Sequence, residues 1–543
     1  MTLAEIRERL LSLGLRVDES RLEAIAAQLR IIDSGLDGVD ATVAPDLPPA
    51  TPIDAPRSRR VGSREPDSAI SPATVFRTLD PLHYESGAEI GRQIASRRLS
   101  AREVIEHHIA RISSIDGRLN AFVHFDPEMA LANAERLDRD LARGHSCGPL
   151  HGVPIAYKDI FDTAGVPTGV GSSFLRKRIP PRDARAVERL AAGGTVSLGK
   201  VNLHEFAYGL TTDNPHYGRT RNPWNLACVP GGSSGGSAAG LAAGLFPLSL
   251  GTDTGASVRL PAAACGVAGL KPTFGRVSRR GVFPLSWTLD HVGPMARTVE
   301  DLGLLLDTIA GHDAADPWSH RSRHRPTAAL ARDGIAKASI GFLTTPLIGD
   351  VDAEVAAAME EAVASFSSVG FQIHRISPPP VSRGPAALLA IIGAEAADIH
   401  RDWLRAHPDG YGTDVRTRLE MGLTIGAHLY ARARRIQAIV RREIDAALAL
   451  VDVLVLPTIP HVAPTFDAVL SREPTRAWNR LVSTFNLSGH PALSLLAGVG
   501  GAGMPFGLQI VGRAFDEATV LGVGRSLERA LGAPYRGPPG YAA

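Results

Sequence analysis

Apolar positions follow two rhythms along this chain. Near its start Leu3, Ile6 and Leu10 recur three and four residues apart, and after "RVDES" Leu22, Ile25, Leu29 and Ile32 repeat in the same way. That spacing lines side chains along one face of a helix. Thr2 and Glu5 stand as a capping box ahead of the first run, which fixes where the helix begins. Residues 1–40 are therefore expected to form a helical hairpin. From 41 to 75 no apolar period survives, and Pro45, Pro48, Pro49, Pro52, Pro56 and Pro66 call for an extended linker, which would make the hairpin an appendage.

The second rhythm fills residues 76–543. Ser100 and Glu103 form another capping box before "VIEHHIARI", and "GVPIAYKD", "GTVSLGK", "SIGFL", "FQIHRI" and "VDVLVLP" are short β-branched runs set between helical stretches. Strands alternating with helices predict an α/β fold, a twisted sheet covered by helices on both faces. Residues 383–450 read as mostly helical and are expected to cap the sheet.

Charge and cysteines narrow the class of function. Lys+Arg 58 against Asp+Glu 56 leaves a formal charge of +2, scattered along the chain, so the footprint of a nucleic-acid binder is absent. Cys147, Cys228 and Cys265 form no CxxC pair, which speaks against a disulfide framework or a thiolate metal site and for a reducing cytoplasm. The N-terminus has no signal-like apolar core, and no stretch reaches the roughly 18 apolar residues of a membrane span; no membrane partner is expected. The lysines are few: Lys158, Lys177, Lys200, Lys271 and Lys337. In a chain that otherwise prefers arginine, a retained lysine suggests a need to lose a proton.

Three motifs imitate known sites. "GTVSLGKV" has the glycines and lysine of a phosphate loop, but Val201 replaces the hydroxyl that would reach magnesium, and Lys200 is expected to end a strand. "HEFAY" begins like a zinc helix, with Tyr208 where the second imidazole belongs, so no metal is expected. "GGSSG", Gly231 to Gly235, fits the nucleophile elbow of serine hydrolases with His291 as a candidate imidazole, but a proline-ended loop precedes it where a strand is required.

A second knot, "GTDTGASVRLP", lies close behind. Thr254, Gly255 and Ala256 permit a tight turn with successive N–H groups aimed inward, and Ser257 ends it where a nucleophile would stand beside an oxyanion hole. Such a serine needs a base. Lys158 closes the strand "GVPIAYKD", and a neutral lysine can serve.

These pieces, "GVPIAYKDIFDTAGVPT", "VPGGSSGGSAAG", "GTDTGASVRLPAAACGVAGLKPT" and "NLSGHPALSLLAGV" with "PFGLQIVGRAFDE", resemble in order the amidase signature family. The resemblance implies an α/β fold with a central mixed twisted sheet, and a cofactor-free hydrolase of carboxylic amides acting through a serine acyl-enzyme. It places the nucleophile on Ser257, the bridging serine, which in the family follows a non-proline cis peptide, on Ser233, and the base on Lys158. The N–H groups of Thr254, Gly255, Ala256 and Ser257 would form the oxyanion hole. Ala256 departs from the family's second glycine. Ser234 either orients Lys158 or caps the following helix; Arg259 either binds a substrate carboxylate or holds Asp253; Asp253 and Asp290 are expected to anchor the turn. Phe206, Tyr208 and Trp224 are expected in the core, and Trp403, Tyr411 and Tyr430 as lining of an acyl pocket.

The substrate is expected to be a small-molecule amide, and a homodimer is compatible with this reading. Carbamate and aryl-anilide hydrolysis use the same chemistry. The rival within the family is the glutaminase subunit of a tRNA-dependent amidotransferase, whose small helical partner the N-terminal hairpin resembles. Against it stands Leu260, where that glutaminase carries glutamine.

Overall fold

The computed structural model describes residues 1–36, 81–343, 351–376, 384–469, 473–531 and 537–541; the linker expected at 41–75 lies outside them. The hairpin is formed by α1 (Leu3–Ser12) and α2 (Glu19–Leu36). The Thr2–Glu5 capping box closes as expected, with the Glu5 N–H donating to Thr2 Oγ1 and the Thr2 N–H to Glu5 Oε2 at 2.6 Å. Ile6, Leu10, Leu22, Ile25, Ile32 and Leu36 are buried in the same core as the sheet. The hairpin is thus no appendage. The α2 helix packs on the Gly384–Ala406 and Thr413–Gly422 helices, so closely that a Cβ at Gly35 would lie 2.4 Å from the Cβ of Ala386.

Among the described residues eleven strands make one mixed sheet, with two further short strands, β4 (Asp213–Asn214) and β5 (Gly218–Arg219), paired apart from it. In chain order the eleven are β1 (Phe122–Phe125), β2 (Pro154–Lys158), β3 (Val196–Val201), β6 (Leu248–Asp253), β7 (Ala268–Lys271), β8 (His291–Ala296), β9 (Ser339–Leu343), β10 (Gln372–Ile376), β11 (Val453–Pro457), β12 (Ala492–Val499) and β13 (Pro505–Gly512). They lie side by side as β1-β3-β2-β6-β8-β7-β12-β13-β11-β9-β10. The five runs read as strands from sequence are β2, β3, β9, β10 and β11.

Two parallel neighbours position the site. Every residue of β2 and β6 is buried, as expected for strands covered on both faces. Their register sets Tyr157 beside Leu250, so Lys158 and Thr252 emerge together at the carboxyl ends, where open α/β sheets bind ligands. Antiparallel β8 then brings His291 opposite Asp253.

Candidate active site

Lys158 ends β2 fully buried, and its Nζ donates to Ser233 Oγ at 2.7 Å and to Thr252 Oγ1 at 2.8 Å. Among the described residues no carboxylate pairs with it. Burial pushes the ammonium down to about 7, against a partial pull upward from Asp253 and Asp290, so near neutrality much of this amine is uncharged. The other two fully buried lysines are spent differently. Lys200 lies in β3, bonded to Phe161 O and Thr168 Oγ1 at 2.8 Å and paired with Asp159 at 3.5 Å. Lys271 caps the carbonyls of Pro272 and His490.

Ser233 follows a cis peptide bond from Gly232 and sits in the loop that leads into the Gly235–Ala242 helix. No strand precedes it, so the elbow geometry is not formed. The Ser234 N–H donates to the Ser257 carbonyl at 3.3 Å, which sets the two glycine-serine knots side by side. Among the described residues Ser234 makes no hydrogen bond with Lys158, and its side chain does not cap its helix. Its hydroxyl instead donates to the Thr252 carbonyl and accepts the Thr252 N–H, both at 3.3 Å, bracing the strand end that presents Thr252 to Lys158.

The turn from Thr254 to Ser257 is almost wholly buried, with Ser257 5% exposed. The N–H groups of Gly255, Ala256 and Ser257 find no protein acceptor among the described residues. Ala256 is not among the residues with positive φ; the turn there suits an L-residue, and the departure from glycine leaves its donor in place. Below the turn, Asp253 accepts the N–H groups of Val258 and Arg259, while Thr254 Oγ1 donates to Asp290 Oδ1 at 2.6 Å.

These features match the Amidase family over residues 103–521. The chain belongs to that family. It is 41% identical over 478 residues, 83% of its length and 97% of the relative's, to a glutamyl-tRNA(Gln) amidotransferase subunit of Anaeromyxobacter sp. (strain K). Among solved structures it is similar to a chain of a vestigial protein complex that reveals the evolutionary origins of an s-triazine catabolic enzyme, with TM-score 0.78, 38% identity, and coverage of 82% of this chain and 98% of that one. It is also similar to a peptide amidase, with TM-score 0.72, 30% identity, and coverage of 83% and 98%. Like its family, this amidase acts on amide C–N bonds.

The rest of the amidase site separates alternatives that the sequence left open, and of the two for Arg259 it forms the contact with Asp253. Arg259 offers nothing to a substrate carboxylate: its Nε and Nη2 hold Asp253 at 2.9 and 3.0 Å, Nη1 reaches Val482 O and Gln509 Oε1, and Nη2 also reaches Asn486 Oδ1. All five donors are taken. Burial opposes the Asp253 charge, but Arg259 and Asn486 hold its carboxyl well below the usual range. His291, the rival imidazole, is not free to serve a serine: Nδ1 faces the carbonyls of Leu289 and Asp253, and Nε2 faces Lys271 Nζ at 3.3 Å. In "HEFAY", His204 pairs with Asp414 and Glu205 with His216, two separate contacts.

Trp403, Tyr411 and Tyr430 are not among the residues that line the cavity of about 210 Å³ bordered by Thr252 and Thr254. Tyr411 donates to or accepts from His400 Nδ1 at 3.0 Å within a cluster that includes Phe174, Phe206 and Trp403, and Tyr430 donates to Glu395 Oε1. One cap helix, Gly384–Ala406, does reach the turn through aliphatic groups: a Cβ on Gly255 would meet Leu388 Cδ2 at 2.9 Å and Ile392 Cδ1 at 3.6 Å.

Sequence reading missed Glu395. Its buried carboxylate, on the Gly384–Ala406 helix, accepts Ser286 Oγ, Thr288 Oγ1 at 2.7 Å, the Thr288 N–H and Tyr430 OH. The Ser286 N–H in turn reaches Asp290, which holds Thr254. Only the hydrogen-bond partners reveal this, since nothing near residue 395 in the chain signals them. Glu395→Gln is expected to lower stability by about 2 kcal/mol, because charge-assisted bonds are replaced by neutral ones. Urea unfolding beside steady-state kinetics checks it, and kcat/KM should fall about tenfold as the link to Thr254 loosens.

Proposed function

We propose that this amidase hydrolyses carboxylic amides through an acyl-enzyme on Ser257. Neutral Lys158 takes the Ser233 hydroxyl proton as Ser233 takes that of Ser257, and the Ser257 oxygen adds to the amide carbonyl. The turn's N–H groups, from Thr254 to Ser257, hold the developing oxyanion. The proton returns through Ser233 to the leaving amine as the C–N bond breaks. Water then adds to the ester by the same relay, releasing the acid and restoring Ser257. The observation that carries this reading is the 2.7 Å contact of Lys158 Nζ with Ser233 Oγ in a site that leaves the amine without a carboxylate partner.

The test is incubation of the purified chain alone with anilides, primary amides, carbamates and glutamine, together with mass-spectrometric mapping of a fluorophosphonate adduct. Turnover and an adduct on Ser257 are expected; an unlabelled Ser257 would reject the nucleophile. A cytoplasmic setting belongs to the same proposal, supported by three cysteines that are free, two of them buried. Among the described residues no helix is long and apolar enough to cross a membrane.

A second reading, the glutaminase subunit of a tRNA-dependent amidotransferase, is the one that the curated relatives' names back more directly than a free amidase. It predicts ammonia release from glutamine that rises when the partners of such a complex are added. The domain division at residues 40 and 75 remains part of the proposal; a hairpin that occupies the place of a separate helical partner counts, with Leu260, against this second reading.

A further inference from the structure

Thr212 lies between β3 and β4, fully buried, with a φ of 54°. A β-branched residue in the left-handed region is an outlier that its surroundings must hold in place. What holds it is the loop around Ser233. The Thr212 hydroxyl donates to the Gly231 carbonyl at 2.8 Å and accepts the Gly235 N–H at 3.1 Å, so one oxygen ties the residues two before and two after the relay serine. A hydroxyl suits this place because it donates and accepts at once. The same segment makes further close contacts with the loop. The His204 N–H donates to the Ser233 carbonyl at 3.2 Å. A Cβ on Gly232 would lie 2.6 Å from the Leu210 carbonyl carbon and 2.7 Å from the Thr211 nitrogen, and one on Gly235 would lie 2.3 Å from Thr212 Oγ1 itself.

Lys158 and Ser233 come from separate pieces of the chain. Lys158 ends β2, whereas Ser233 stands on a loop, so their 2.7 Å contact depends on where that loop is fixed. The Thr212 tie spans Ser233 from both sides, and without it the buried Gly231 carbonyl and Gly235 N–H would lose this partner, at the cost of an unmade bond. We infer that Thr212 is a positioning residue for amide hydrolysis, its hydroxyl fixing the Ser233 loop so that the relay oxygen stays within reach of Lys158. The inference rests on the hydrolase reading given above. Among the described residues the Thr212 hydroxyl makes no hydrogen bond with Lys158 or Ser257, so its effect on the reaction passes through Ser233.

The experiment compares the parent, Thr212→Val and Thr212→Ser, each with and without Ser233→Ala, in amide hydrolysis and in the rate of fluorophosphonate labelling of Ser257. Thr212→Val keeps the shape and removes the hydroxyl. It should lower kcat by about 10²-fold, the scale of a misplacement near 1 Å, and change KM by less than about threefold. Thr212→Ser, which keeps the hydroxyl, should restore most of the rate. In the Ser233→Ala background Thr212→Val should change kcat and labelling little, because losses within one coupled unit are not additive. A residue that merely holds the fold together would cost the same in both backgrounds. Should Thr212→Val fail to fold, Thr212→Ala removes the same hydroxyl with a smaller side chain and is read in the same way. A hydroxyl-free variant with the parent's kcat, a loss of equal size in the Ser233→Ala background, or a Thr212→Ser enzyme as slow as Thr212→Val would overturn the role of Thr212, while turnover and labelled Ser257 in the parent uphold the hydrolase. A parent that neither turns over nor labels on Ser257 would reject both.

Discussion

Lys158→Met is expected to lower kcat/KM for amide hydrolysis by about 10³- to 10⁵-fold while leaving the protein folded, the scale seen when one member of a coupled catalytic set is removed. In the proposed mechanism the amine at 158 makes the two hydroxyls competent, and it is the group whose nitrogen meets Ser233 Oγ at 2.7 Å. Methionine has a similar length and no charge, so it fills the space between β2 and the Ser233 loop. The pH profile of the parent enzyme carries the same argument. Burial holds the Lys158 ammonium at about 7, against about 10.4 for a free lysine. In the proposed mechanism the neutral form is the base, so kcat/KM should rise with pH through about 7 and then level.

Stability has the same sign. Between about 7 and about 10.4 the unfolded chain binds a proton at this position that the folded chain lacks, so this group makes the fold more stable as pH rises through that window. Lys158→Met should remove that slope along with the activity. Stopped assays of amide hydrolysis from pH 5.5 to 10, paired with urea unfolding at the same values, check both. A kcat/KM profile that stays level across pH 7 with chemistry rate-limiting would remove Lys158 from the role of base.

The sequence made the strand end at Lys158 and the two glycine-serine turns legible because their signals are local. A β-branched run ending in a lone lysine, and two glycine-serine turns, each announce their own backbone, and β2, β3, β9, β10 and β11 appeared for the same reason. Strand β6 did not: "LSLGTD" is short and runs straight into the glycine-rich turn, so its period was hidden by its neighbours. The partners of Arg259 were beyond reach as well, since Gln509, Asn486 and Val482 lie more than 200 residues away along the chain and only the sheet and the helices after residue 473 gather them. The hairpin was recognised as helices, but its attachment was not. An apolar helical face shows that something covers it, while the cover, here the Gly384–Ala406 and Thr413–Gly422 helices, is chosen by tertiary packing.

Arg259→Leu is expected to cost about 3 to 5 kcal/mol of stability, the range for removing one partner of a buried ion pair and stranding the other. Asp253 would keep the N–H groups of Val258 and Arg259 and its bond from Asn486 Nδ2 at 2.8 Å, but it would lose the guanidinium that keeps it ionised in a fully buried place. With its carboxyl free to take a proton, the Val258 and residue-259 N–H bonds that shape the turn weaken, so kcat should fall as well as the unfolding midpoint. Arg259→Lys should rescue little, because three ammonium donors on a flexible stem cannot reproduce a planar fork that reaches Asp253, Gln509, Asn486 and Val482 at once. The double change Arg259→Leu with Asp253→Leu should recover part of the stability and none of the turnover, since it removes the stranded charge but also the acceptor that holds the turn. Urea unfolding of the parent, Arg259→Leu, Asp253→Leu and the double variant at pH 7, read as a double-mutant cycle, gives the coupling directly. In the parent, the depressed Asp253 carboxyl contributes stability above the ordinary aspartate range, lost only as strong acid protonates it. Should Arg259→Leu unfold at the same urea concentration as the parent, the ion pair would not be what holds the nucleophile's turn in place.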